Sequence, residues 1–353
     1  MVAVLFSATP KAQDTSTIQQ ISKKEKLFNS EEALEISLRG NIKQVLKDRE
    51  VESKYFPLQI VYTTNGDAAV TIPIQIKTRG HFRKMKSNCT YPPLLLNFSD
   101  KEKLSSTIFK GQEKLKLVMP CRGDEYVIRE WLVYKMYNLL TPLSFQARLV
   151  KIKLEDSANK INAEPFYGML LEEDKKMAKR NKQVCVTKKM RPEGTYEDVF
   201  TTMCVFEYLI GNTDWSVQYM QNIKLIAADT LGLLPTTVPY DFDHAGIVSA
   251  PYAQPEEALQ LSSVKERRYR GYCMNDMKTF DSSIALFNRH KEEIYNLYIN
   301  CSLIDDKYRK TTIKYLDDFY NTINDPAALK KEFSYPCDLN GTGNVIIKGL
   351  KED

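Results

Sequence analysis

Leu58, Ile60 and Tyr62 alternate with polar or exposed-type residues, and after the segment TTNGDA the alternation resumes at Val70, Ile72, Ile74 and Ile76. A period of two on both sides of an Asn65-Gly66 pair predicts a β-hairpin. PPLLLNF at 92–98 and KLKLVM at 114–119 read as further strands, the first restricted by its prolines to a sheet edge or a strand start. The period then lengthens. Asp124 is placed to cap a helix in which Ile128, Trp131, Leu132, Met136 and Leu139 share one face, and Pro142 ends it. Alternation returns at Val150, Ile152 and Leu154 and in PFYGMLL at 165–171, with EDSANK as the intervening turn. EEDKKMAKRNK, which follows, reads as a solvated loop or a connector. YEDVFTTMCVFEYLIG is apolar on most sides, which predicts a helix buried in a core, stopped by Gly211. A short strand NIKLIA, a loop with Gly232 and Pro235, and a strand-like TTVPYDFD come next, and 255–335 reads as helices. Strands first and helices later predict an α+β fold in two lobes, divided as a lead-in over 1–26, an N-terminal lobe over 27–175 made of a small antiparallel sheet with one helix, and a mainly helical C-terminal lobe over 176–353.

Composition narrows this picture. The 353 residues are 43% hydrophobic, enough for a large core, and no run approaches the ~18 apolar residues of a membrane helix, so no integral membrane segment is expected. Fifty basic and 45 acidic residues give a net charge of +5 that is spread along the chain, which argues against a dedicated nucleic-acid binder. The opening MVAVLFSATPKAQD has the apolar stretch and small residues of a secretory signal lacking its charged start. A periplasmic or secreted protein is therefore expected, with a cytoplasmic one as the alternative. Seven cysteines without a CxxC pair make a zinc site improbable; Cys89 and Cys121 are candidates for a bridge in an exported protein, and Cys204 for a core position.

Candidate chemistry gathers late in the chain. Asp214, in GNTDW, follows the buried helix; Asn222 stands eight residues on; Asp241 and Asp243 follow a second apolar run in PYDFD. Two carboxylates one residue apart on extended backbone point the same way and can reach one metal ion. Phosphoryl transfer asks for little more: a carboxylate to orient the nucleophile, and an Asn and an Asp to hold magnesium on the phosphates. Lys116 on a strand and Glu130 on the first long helix form the pair by which kinase-like folds position phosphates, with Lys114 an equal neighbour. The turn KTRGHFRK offers Arg79, His81, Arg83 and Lys84 as a basic cover for phosphates, or as a solvated turn. Arg267, Arg268 and Arg270 suit either an anionic acceptor or internal acidic partners. No glycine-rich phosphate loop of standard spacing and no nucleophile elbow is present, and only three histidines occur, of which His244 reads as a turn residue.

In this order the motifs IQIKTRGHFRK, PPLLLNF, YVIREWLVYKMYNLL, PFYGMLLEED, GNTDW and PYDFD resemble the CotH kinase family, the spore-coat type of atypical bacterial protein kinases, over about half the chain. The family shows a charged RG turn after a strand, a helix beginning near an Arg, a Gly-Tyr type of strand before a Glu, and an Asp-Trp motif followed by Asn and Asp-x-Asp. The resemblance implies a two-lobed atypical protein-kinase-like fold that binds ATP with Mg2+ (or Mn2+) and phosphorylates a protein or other hydroxyl acceptor. It implies Asp214 as the catalytic carboxylate and Asn222 with Asp241 or Asp243 as metal ligands; Lys116, Glu130 and Arg79 stand as nucleotide-binding candidates on the reading of the residues themselves. The chain departs from the pattern twice: Asp214 and Asn222 lie farther apart than the five residues usual in protein kinases, and Cys89 to Pro93 replaces the family's paired lysines. A non-catalytic envelope module and an AMP-transferring enzyme on the same fold are the alternatives.

Overall fold

The computed structural model describes residues 26–64, 68–230, 232–274 and 276–338. The lead-in and the Asn65-Gly66 turn lie outside them. In the N-terminal part the period-two residues do what their spacing predicts: Leu58, Ile60, Tyr62, Ile72, Ile74 and Ile76 are all buried on one side of their strands. The strands are β1 (Leu34–Gly40), β2 (Phe56–Tyr62), β3 (Val70–Thr78), β4 (Leu94–Asn97), β5 (Lys114–Val118), β6 (Ala147–Asp156) and β7 (Phe166–Leu171). They close into a barrel in the order β1-β2-β3-β4-β5-β7-β6, with β6 returning to β1. The expected antiparallel sheet is thereby corrected, because β1 and β6 pair in parallel, Ile36 opposite Ile152, and leave no open edge. β4 starts directly after Pro92-Pro93 and pairs on both sides, so the prolines set its start and do not make it an edge. Short helices α1 (Ile42–Lys47) and α2 (Lys101–Leu104) decorate the barrel, whose interior forms one of two apolar cores.

The second core surrounds α3 (Asp124–Leu140), which buries ten of its side chains. Its cap differs from expectation. Gly123 is the N-cap, and Asp124 in the first turn instead accepts from the Tyr167 N–H at 2.8 Å, lacing α3 to β7. The charge run after β7 is not a loop: α4 (Asp174–Arg180) runs through it and buries Met177 and Ala178. Arg180 binds both oxygens of Glu172 and the carbonyls of Pro142 and Ser144, so a run that reads as surface also ties α4 to the end of β7 and to the connection before β6.

β8 (Val184–Val186) precedes α5 (Glu197–Ile210), then β9 (Ile223–Ala227) and β10 (Thr236–Pro239) follow, and the three strands form a sheet ordered β10-β9-β8. β10 stops at Pro239, so YDFD is not strand. The C-terminal part ends in α6 (Asp281–Arg289), α7 (Lys291–Ile299), α8 (Asp306–Asn324) and α9 (Pro326–Phe333). Residues 255 to 274, expected as helix, are mostly irregular with one short 3-10 turn. They are held by side chains: Tyr269 stacks on Phe333 at 4.4 Å and Cys273 is disulfide-bonded to Cys337. A second disulfide joins Cys89 to Cys121, while Cys204 is a buried free thiol. Among the described residues no helix is long and apolar enough to cross a membrane.

Candidate active site

The Asp214 loop begins where α5 ends. Gly211 takes the left-handed conformation (φ 66°), and the Asn212 side-chain oxygen accepts from the Asp214 N–H at 3.1 Å. The turn-forming side chain is therefore Asn212, which leaves the Asp214 carboxylate free for other work. Arg270 fastens the loop on both sides of Asp214, donating to the carbonyls of Thr213 (2.7 Å) and Trp215 (2.8 Å) and lying over the Trp215 ring. The eight-residue step to Asn222 is absorbed by a tight excursion closed by mutual backbone bonds between Ser216 and Gln221, both 2.9 Å. Asn222 thus returns to Asp214, giving its amide to the Asp214 carbonyl (2.7 Å) and carboxylate (3.0 Å), while Gln221 donates to the other carboxylate oxygen at 3.1 Å. Burial pushes the Asp214 carboxyl above its usual range, against the pull of His244 and Gln221, and the nearby Asp243 and Asp241 push the same way.

Phe242 is fully buried between Tyr134 and Phe206, and that anchor fixes its two neighbours. Asp241 sits in left-handed backbone (φ 65°) with its N–H on the Tyr134 hydroxyl at 2.8 Å. Its carboxylate and that of Asp243 point the same way, but to a cation of the protein's own. Arg83 reaches Asp241 at 3.2 Å, Asp243 at 3.3 Å and Glu130 at 3.7 Å, with its side chain only 11% exposed. Tyr252 donates to Asp243 at 3.0 Å. Burial alone would lower the Arg83 pKa; Asp243, Tyr252, Glu130 and Asp241 outweigh it and hold the guanidinium charged. Burial raises the Glu130 carboxyl. Among the described residues no three His, Cys, Asp or Glu side chains are arranged to hold a metal ion by themselves. Asp241, Asp243 and the Asn222 side-chain oxygen are nonetheless the hard oxygen donors that magnesium takes when phosphates supply the rest of its shell.

The expected Lys116–Glu130 pair does not form. Lys116 lies instead on Asp174 at 2.8 Å, and Lys224 holds the other oxygen of Asp174 at 3.0 Å. Both lysines stack on Tyr240, at 4.9 and 5.1 Å. Glu130 faces the barrel's β3–β4 loop, so the loop arginine takes it before the strand lysine can. Burial lowers the Lys116 pKa, Asp174 opposes, and the charge of nearby Arg79 lowers it further, which places Arg79 at this cationic patch. His81 starts the short turn that carries Phe82 and Arg83, while Lys84 turns inward to the Val51 carbonyl at 3.2 Å. Arg267 is also internal, bound to the carbonyls of Leu209 and Tyr315. With Arg270 on the Asp214 loop, two of the segment's three arginines serve the fold.

Asp174, Lys224, Tyr240 and Tyr252 escape sequence reading. Asp174 hides in a charge run, and Lys224 is one polar position in a five-residue strand. Only the Tyr-Asp-Phe-Asp continuity marks Tyr240.

No family model matches this chain, and no curated protein matches it. Among solved structures it is similar to the crystal structure of a Helicobacter pylori proinflammatory kinase, CtkA, at 12% identity and a TM-score of 0.41 over 69% of this chain and 90% of that one. A likeness that weak assigns neither a fold family nor an activity.

Proposed function

We propose that this chain is an atypical, kinase-like phosphotransferase that uses ATP with Mg2+ (or Mn2+) and acts on a protein or other hydroxyl acceptor. The observation that carries the reading is the convergence of groups from both halves of the molecule. Glu130 and Arg83 from the barrel side meet Asp241 and Asp243, and Asp214 with Asn222 stands close enough to feel both aspartates. Asp214 receives the acceptor's proton, its carboxylate oriented by Asn222 and Gln221, and general-base catalysis of this kind contributes about 10²–10⁴-fold. Asp241 and Asn222, with Asp243 beside them, would hold the metal, which when bound neutralises phosphate charge. Lys116, Lys224 and Arg79 form the cationic wall for the nucleotide phosphates, and Arg83 takes over the place beside Glu130 that the sequence assigns to Lys116. The two disulfides favour an oxidising compartment, which supports export.

Mass spectrometry after incubation with ATP and Mg2+ or Mn2+ tests this. A gain of about 80 Da on the protein or on a generic acceptor, absent in Asp214→Ala and Asp241→Ala, is expected. An adenylate adduct would instead make it an AMP transferase. Asp241→Ala should also abolish metal-dependent nucleotide binding while leaving the circular dichroism spectrum intact. Occupation of the acid cluster by Arg83 favours a second reading, a non-catalytic envelope module. That reading requires no thermal stabilisation by ATP, where a ligand at 100 times its Kd adds about 2.7 kcal/mol.

A further inference from the structure

Beneath the Asp214 loop lies a carboxyl that the proposed chemistry does not use. Glu207 stands one turn before the end of α5, 1% exposed, and neither of its side-chain oxygens has a hydrogen bond of proper geometry. Asn212, equally buried, leaves its side-chain Nδ2 without one. The two lie close together: burial raises the Glu207 carboxyl to about 8 against the pull of the Asn212 amide and of Arg270, and Asp214 pushes the same way as burial. Tyr137 of α3 and Cys204 of α5 are the other titratable groups that face it. Asn212 is also the hub of the loop. Its N–H donates to the Glu207 carbonyl at 2.9 Å, its side-chain oxygen accepts from the Asp214 N–H at 3.1 Å, and its carbonyl accepts from the Trp215 indole at 3.2 Å. Arg270 closes the other side, with the single nitrogen Nη1 serving the carbonyls of Thr213 and Trp215. Glu207 thus stands against both of the groups that aim Asp214.

We propose that Glu207 in its neutral form is a positioning residue for Asp214, and that loss of its proton on the alkaline side loosens the loop. A neutral carboxyl carries an acceptor for the Asn212 amide and a hydroxyl that needs no cation. A carboxylate has no donor and, when buried, demands a positive partner. Arg270 is the one cation that faces Glu207 among the described residues, and a charge-assisted bond between them outcompetes the neutral carbonyls of Thr213 and Trp215. Ionisation therefore draws Arg270 away from the two peptide groups that flank Asp214. The effect on phosphate transfer rests on the phosphotransferase reading; the movement of the loop does not.

Trp215 reports on the loop directly, bonded to Asn212 through its indole and to Arg270 through its carbonyl, and it is one of only two tryptophans in the chain. Tryptophan emission of the full chain is followed from pH 6.5 to 9.5 in Trp131→Phe and in Trp131→Phe/Glu207→Gln, or with Trp131 retained in both should its replacement not fold. The protein with Glu207 is expected to show a step with its midpoint near 8, and the Gln variant none. A flat response with Glu207 present overturns the proposal without reference to the variant. A step of equal size in Glu207→Gln belongs to another group, such as His244 or Cys204, and overturns it too. Phosphate transfer from labelled ATP to a generic hydroxyl acceptor is then measured over the same range. It is expected to fall roughly tenfold from pH 7 to 9.5 in the wild type and by less than about threefold in Glu207→Gln. The emission step with no transfer at any pH leaves the loop brace standing and removes the phosphotransferase reading; transfer that falls equally in both proteins keeps the phosphotransferase and overturns the positioning role.

Discussion

Arg83 decides how three carboxylates can stand together. Glu130, Asp241 and Asp243 all converge on one guanidinium that is largely withdrawn from water. Removing one partner of such a cluster leaves the others charged and unpaired, which costs far more than the cluster contributes relative to an apolar replacement. Arg83→Gln should therefore lower unfolding stability by about 3–5 kcal/mol in denaturant titrations near neutral pH, and by less in acid where the carboxyls protonate. A change within about 0.5 kcal/mol would show the cluster to be unpaired in solution. Glu207 makes the opposite kind of prediction. It lies under the Asp214 loop with both side-chain oxygens lacking a hydrogen bond of proper geometry, and burial pushes its carboxyl up to about 8. A carboxyl whose folded pKa is raised favours the fold while neutral: its contribution is complete below the ordinary value of 4.5 and is lost as pH climbs from there to about 8. Glu207→Gln, neutral throughout, should gain stability relative to the wild type between pH 5 and 8, followed by melting midpoints across that window. A constant difference between the two proteins would show Glu207 charged at all these pH values.

At the scale of elements, α5 and its stop place the candidate base. The helix is apolar on most sides because it is surrounded, and Gly211 alone can turn it toward Asn212 in left-handed backbone. A Cβ there would collide with the Tyr315 hydroxyl and come within 3.1 Å of the Val264 carbonyl. Gly211→Ala should accordingly cost about 1–3 kcal/mol, with the strain falling on the loop that carries Asp214. Unchanged thermal stability would mean that the turn relaxes to another conformation. This stop was legible because glycine after an apolar run is a local signal. Helix α4 was not: eight charged residues among eleven look like a wet surface, and only the burial of Met177 and the pairing of Asp174 with Lys116 and Lys224 reveal a packed element.

At the scale of the molecule, two covalent ties close different parts of the chain. Cys89–Cys121 spans 32 residues, fastening the β3–β4 connection to the entrance of α3, and Cys273–Cys337 spans 64 residues across the C-terminal helices. Chain entropy assigns such loops about 4 kcal/mol each. Reduction, or Cys273→Ser/Cys337→Ser, should lower the melting midpoint by several degrees; an unchanged midpoint under reducing conditions would mean that the bridges do not constrain the unfolded chain. The sequence by itself determined the alternating strands, the helices α3 and α5, the glycine stop and the polar motifs at Asp214 and at Asp241 and Asp243, because each rests on periodicity or on chemistry within a dozen neighbours. Barrel closure, the return of Asn222 to Asp214, and above all the choice of Arg83 over Lys116 as the partner of Glu130 came from tertiary structure alone. An ion pair is settled by which side chains the packed backbone brings within a few ångströms, and residues 47 positions apart carry no mark of it in their order along the chain.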